Sequence, residues 1–278
     1  MGDQEDMFER VRLEADPVRQ AQLAGELITL YQQRSVELAR LRKEAINRAA
    51  DQKNMSYSAI AVQLGLTRGR ITQIRQSAPA PERAMFGVGP VTIAVPLRNA
   101  AGRALPVISS EDSLASERLS QILTDLAFHT HYVRIPPDGV WHPSGDTIAI
   151  CGPKSSIVTA QALASDPHLS FQQSEPDGRW VIRERDGSAV YESSMDQAQH
   201  RWADVAYIGR LQYRSQQLLI IAGVHALGSL GAIDYLSKNL ADIYAAVGTQ
   251  RFSMVIGSEH EGDRVVRSEA ICPPRLHE

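Results

Sequence analysis

Two cysteines in 278 residues, Cys151 and Cys272, are too few for a disulfide framework, which points to reduced thiols in a cytoplasm. No apolar run approaches the roughly 18 residues of a membrane span. The best candidate, Leu218 to Val224, is far too short. The first residues, MGDQEDMFER, are polar and acidic, without the cationic start and apolar stretch of a secretion signal. The eight histidines lack the paired spacing of a zinc site, and His129 and His131 would face different ways on a helix. No metal site is expected, no catalytic set stands out, and no cofactor is named by the sequence. Internal repeats and low-complexity tracts are missing as well.

What is present is an ordinary globular composition, 43% hydrophobic and 22% charged, in a chain long enough for two domains. The net charge of −3 hides an asymmetry. Between Arg34 and Arg83 ten basic residues stand against four acidic ones, so this segment carries +6 and the remainder −9. A basic module on an acidic body suits nucleic-acid contact by one part only.

From about Asp16 to Gln52 the sequence predicts a helix, with Leu23, Leu27, Leu30, Leu38, Leu41 and Ala45 on one stripe. Asp16 suits the N-cap and Pro17 the first turn. Unbroken, such a helix approaches 50 Å at about 1.5 Å per residue, so a break near Gln33–Arg34 or a pairing role is expected. Its apolar stripe fits packing on the helices that follow or a dimer seam.

The stretch Tyr57 to Gln76 meets the demands of two helices crossing at a tight turn, a helix-turn-helix. Ala61 is small where the helices approach, and Ile60, Leu64, Leu66, Ile71 and Ile74 supply a shared core. Gly65 sits at the corner, where a left-handed backbone favours glycine. Ser56 and Thr67 are placed to cap the two helices. The outward face of the second then carries Arg68, Arg70, Thr72, Gln73 and Arg75, residue types that suit guanine, adenine, thymine methyl and phosphate. With Thr67 these are the candidate DNA-binding residues.

The segment Ala45 to Gln76 resembles region 4 of bacterial sigma factors. The likeness rests on the preceding basic helix, on YSAIAVQLGL from Tyr57, and on TRGRITQIR from Thr67 to Arg75. It implies that the second helix reads double-stranded DNA in the major groove through Arg68, Arg70, Thr72, Gln73 and Arg75. It covers about an eighth of the chain, and no segment resembles the promoter-melting region. A regulator carrying the same reading element fits better than a sigma factor.

Ala78-Pro79-Ala80-Pro81 reads as a linker, and beyond it short β-branched runs alternate with helical patterns. Strands are predicted at Val91–Val95, Tyr132–Ile135, Thr147–Ile150, Val205–Ile208, Leu218–Ala222 and Phe252–Ile256, with a hairpin across Asp186-Gly187. Helices are predicted at Leu114–Phe128, from Ser156, and at Ser229–Val247. The expected fold class is α/β. An all-α domain spans residues 1–77, with the helix-turn-helix at 56–76 and a linker at 78–86. A Rossmann-like, mostly parallel α/β domain follows at 87–278.

Two strand-to-helix junctions mark a candidate ligand site. Cys151-Gly-Pro-Lys-Ser-Ser156 places a lysine and hydroxyls at a helix start, where free amides attract anions. It lacks the second glycine of a phosphate-cradling P-loop. Gly223-Val-His-Ala-Leu-Gly228-Ser229 offers close backbone approach, without the dinucleotide fingerprint. The ligand-binding candidates are Gly152, Lys154, Ser155, Ser156, Asp204, Gly223, His225, Gly228 and Ser229. The implied ligand is small and phosphorylated or nucleotide-like, sensed by a homodimer. The alternative is a nucleotide- or nucleoside-processing enzyme in which Ser229, His225 and Asp204 converge. No G-x-S-x-G elbow supports it.

Overall fold

The computed structural model describes residues 2–197 and 202–278. Helix α1 (Gly2–Leu13) turns into α2 (Pro17–Gln52), whose first turn is fixed by Asp16 accepting from the Arg19 amide at 2.8 Å. Over its 36 residues α2 runs without interruption, a length of about 54 Å. The break expected near Gln33 is absent because the middle of the helix is fastened sideways. Gln33 and Arg40 are buried there, while Leu38 and Leu41 of the predicted apolar stripe remain exposed. Of that stripe Leu27 is buried and Leu23 and Leu30 are half-buried.

Helices α3 (Tyr57–Gln63) and α4 (Arg68–Ser77) follow. They share a small core of Ile60, Ala61, Ile71 and Ile74 with Ile46 of α2. Residues 81–86, assigned by the sequence to a linker, form a 3-10 helix whose Met85 and Phe86 join the main hydrophobic core.

The remainder is built from β1 (Val91–Pro96), α5 (Ser110–Asp125), β2 (Thr130–Ile135), β3 (Asp146–Ala149) and α6 (Ile157–Ala164), then β4 (Leu169–Gln173), β5 (Trp180–Glu184) and β6 (Val190–Tyr191). The chain closes with β7 (Ala203–Tyr213), β8 (Gln216–Gly223), α7 (Ala226–Val247), β9 (Phe252–Glu261) and β10 (Arg264–Leu276). Seven strands form the central sheet, in the order β10-β9-β7-β8-β3-β1-β2. Strands β8, β3, β1 and β2 pair in parallel, whereas β7 pairs antiparallel with both β8 and β9, and β10 antiparallel with β9. Five strands therefore point one way and two the other. The sheet is mostly parallel in direction, but one half is built from hairpins.

Two apolar layers cover the sheet. On one face α5 and α7 pack with Leu119, Leu123, Leu230 and Ile233 against Ile93, Ile148, Ile208 and Ile221. On the other, α6 and the separate β4-β5-β6 sheet pack Val158, Leu163, Leu169 and Ile182 against Ala149, Tyr207 and Ile220. No helix of the described residues is long and apolar enough to cross a membrane.

Candidate functional site

The α3–α4 pair is ordered by local chemistry. The Ser56 hydroxyl accepts from the Ala59 amide at 3.2 Å, and Thr67 Oγ1 accepts from the Arg70 amide at 3.1 Å, so each helix has a side-chain cap. Between them Gly65 takes φ +64°, the left-handed corner. Ile71 and Ile74 point inward, which turns Arg68, Arg70, Thr72 and Gln73 to solvent. Arg70 donates to Gln73 Oε1 at 2.6 Å, aligning two long side chains on one face. Arg75 behaves differently from the rest of the set. Its guanidinium donates to Asn47 Oδ1 at 3.0 Å and lies 4.2 Å from the centre of the Tyr57 ring, bracing α4 on α2 and α3. Leu64, expected in the shared core, is half exposed at the end of α3.

At the carboxyl ends of β1, β3 and β8 a cleft of about 600 Å³ opens to solvent. Of the sequence-derived ligand candidates, Gly152, Lys154, Ser155, Gly223, His225 and Ser229 line it. Arg98, Phe171 and Trp180 also line it and were not singled out from the sequence. Arg98 follows β1 and donates from Nε and Nη2 to the buried Asp112 carboxylate at 3.2 and 2.9 Å. Phe171 and Trp180 come from the small sheet.

Ser156, Asp204 and Gly228 lie behind the cleft wall, where they build the junctions. Ser156 Oγ accepts from the Thr159 amide at 3.0 Å and from Trp141 Nε1 at 2.9 Å. Asp204 Oδ2 accepts from the amides of His225 and Gly228, at 3.0 and 2.6 Å, so a buried carboxylate sits at the start of α7. Burial pushes its pKa up to about 6 against the opposing pull of its hydrogen bonds. A Cβ at Gly228 would stand 2.5 Å from the Val205 carbonyl oxygen, so α7 approaches the sheet as closely as glycine permits.

Ser229, His225 and Asp204 do not form a relay among the described residues. Ser229 Oγ accepts from the Gly223 amide at 2.9 Å, the His225 ring lies 3.0 Å from Asp196, and Asp204 serves backbone amides. Cys151 is buried beside Thr159, and burial pushes its thiol up to about 11, out of the range of a reactive thiolate.

Comparison with protein-family models, curated proteins and solved structures gives no match to this chain.

Proposed function

We propose that the protein is a DNA-binding transcription regulator that senses a small ligand in the cytoplasm. In this reading α3 and α4 act as a helix-turn-helix, and α4 enters the major groove of double-stranded DNA. Arg68, Arg70, Thr72 and Gln73 face the bases and phosphates, and Thr67 sits at the helix start. Arg75 contributes by holding α4 in place. The observation that carries the reading is the division of α4 into two faces. Ile71 and Ile74 are buried, and the four polar side chains between and around them are exposed. The likeness to sigma region 4 in the same residues supports it.

The α/β part is read as Rossmann-like, with a phosphorylated or nucleotide-like ligand at the carboxyl ends of its strands. A homodimer would present two reading helices to half-sites about one helical turn apart. Selection of bound fragments from a random duplex library, followed by fluorescence anisotropy, tests the DNA half. Replacing Arg68 and Arg70 by alanine should weaken binding at least tenfold and reduce its salt dependence. Unchanged affinity and salt slope in that double variant would overturn the assignment.

A further inference from the structure

The cleft at the ends of β1, β3 and β8 is lined by two unlike groups of side chains. One is aromatic. In the β4–β5 pairing Phe171 faces Ile182 and Gln173 faces Trp180, so Phe171 and Trp180 are diagonal neighbours on the same face of the hairpin. Both line the cleft. Phe171 is backed by Tyr207, whose ring centre lies 6.2 Å away and whose hydroxyl donates to the buried Asp166 at 2.7 Å. The platform is therefore braced from behind.

The other group is charged, with Arg98 and Lys154 lining the cleft together with the Asp112 carboxylate. Arg98 uses Nε and Nη2 to hold Asp112, and among the described residues its Nη1 makes no hydrogen bond. Lys154 stands exposed in the turn after β3, next to Ser155. At each helix start beside the cleft, part of the backbone amides are satisfied from within. Asp204 fills the anion position at α7. At α6 the first amide, Ile157 N, donates to the Gly139 carbonyl at 3.1 Å, and Ser156 takes the Thr159 amide. The Arg98 and Lys154 side chains are the cationic groups that line the cleft and can hold an anion there.

We propose that the cleft binds a mononucleotide, its base stacked on Phe171 and Trp180 and its phosphate on Arg98 and Lys154. The inference rests on the ligand-sensing reading above and names the ligand class. Inorganic phosphate would leave the aromatic rings unused, and a nucleoside would leave the two cations unused. A nucleotide engages both the aromatic rings and the cations of this solvent-open cleft. Purines, with the wider ring system, should bind more tightly than pyrimidines because they overlap both aromatic side chains.

Isothermal titration of the full chain with AMP, GMP, CMP, adenosine and inorganic phosphate tests this. AMP and GMP should bind at least tenfold more tightly than adenosine or phosphate. Trp180→Ala should weaken the nucleotides about tenfold without altering phosphate binding, and Lys154→Ala should weaken nucleotides and phosphate while sparing adenosine. The change in tryptophan fluorescence on nucleotide binding should be lost in Trp180→Ala, although two of the three tryptophans remain. No nucleotide binding, or equal binding by both variants and the parent, would overturn the proposal. A larger thermal shift from a metabolite lacking both base and phosphate than from any nucleotide would also overturn it, while leaving ligand sensing intact. Nucleotide binding that leaves DNA affinity unchanged would support the site and remove the sensing reading instead.

Discussion

The guanidinium of Arg83 donates to Oε1 of Gln33 at 3.1 Å, joining the 3-10 helix of the α/β part to the middle of α2. Arg83 is fully buried, and its remaining bonds reach the carbonyls of Leu126 at 2.8 Å and Val88 at 2.6 Å. Its plane covers the Phe128 ring, 3.6 Å from the centre. Gln33 in turn donates to the Ala127 carbonyl at 3.3 Å, so the end of α5 is tied to both partners. Burial lowers the Arg83 pKa to about 10, which leaves it charged at neutral pH with Glu37 3.7 Å away. The long helix bearing the basic head is thus held to the sheet domain by a buried polar joint.

Arg83→Ala should therefore destabilise the chain strongly, because it strands the buried Leu126 carbonyl and the Gln33 amide oxygen away from water. The expected loss is at least ~3 kcal/mol in urea unfolding. Gln33→Leu should cost about 1–2 kcal/mol. The two losses should fall short of additive in the double variant, since they remove a shared interaction. Simple additivity would mean that the joint is not a unit.

Gly228→Ala places a methyl carbon 2.5 Å from the Val205 carbonyl oxygen and 2.7 Å from Asp204 Oδ2. Backbone cannot yield cheaply there, so α7 must shift outward. A stability loss of roughly 1–3 kcal/mol is expected, read as a lower thermal midpoint. Gly262→Ala serves as a comparison of a different kind: its Cβ would meet open space, but its φ of +63° carries backbone strain alone.

Asp204 supplies a pH dependence whose sign follows from its pKa. The folded carboxyl titrates at about 6, whereas an unfolded aspartate titrates near ~4. Between these values the folded chain retains a proton that the unfolded chain has released, so stability falls as pH rises through the window. The contribution, up to ~3 kcal/mol, is fully present below pH ~4 and gone above pH ~6. Burial lowers the pKa of His260 and His277, which gives the opposite slope, so the comparison must be made against Asp204→Asn. Melting curves from pH 4 to 7 should show a difference between the two proteins that changes with pH in this direction. A constant difference would contradict the assignment.

Ile71 is fully buried between α2, α3 and α4, and truncation to alanine should cost ~2–5 kcal/mol within that unit. Amide exchange should accelerate across residues 57–77 while amides of β7, β8 and β9 keep their protection. Faster exchange throughout the sheet would show that the helical unit and the sheet unfold together.

Much of the fold was legible because its signals are local. The caps at Asp16, Ser56 and Thr67, the corner at Gly65 and the strands before α5, α6 and α7 each rest on a few neighbouring residues. The hairpins of the sheet were not. Strand β7 is buried on both faces for most of its length, so its run of apolar residues reads like a parallel strand. Strand β10 fails for the opposite reason: it is an edge strand with exposed charges and register shifts, and no clear alternation survives. In the cleft the sequence marked the two glycine-bearing turns, but Arg98 and Phe171 stand in segments without any motif, and Trp180 opens the predicted hairpin strand with nothing local to tie it to the cleft.

The sequence by itself determined the paired short helices and which side of α4 carries its arginines, since capping, glycine geometry and helical period act over a few residues. Tertiary structure alone decided that Asp204 and Ser156 serve backbone amides, and that Arg75 braces α4 against Asn47 and Tyr57. It also decided that a small separate sheet brings two aromatic rings into the same cleft as Arg98 and Lys154. Those partners are brought together only by strand pairing and layer packing between distant segments, and no local pattern encodes the distance between them.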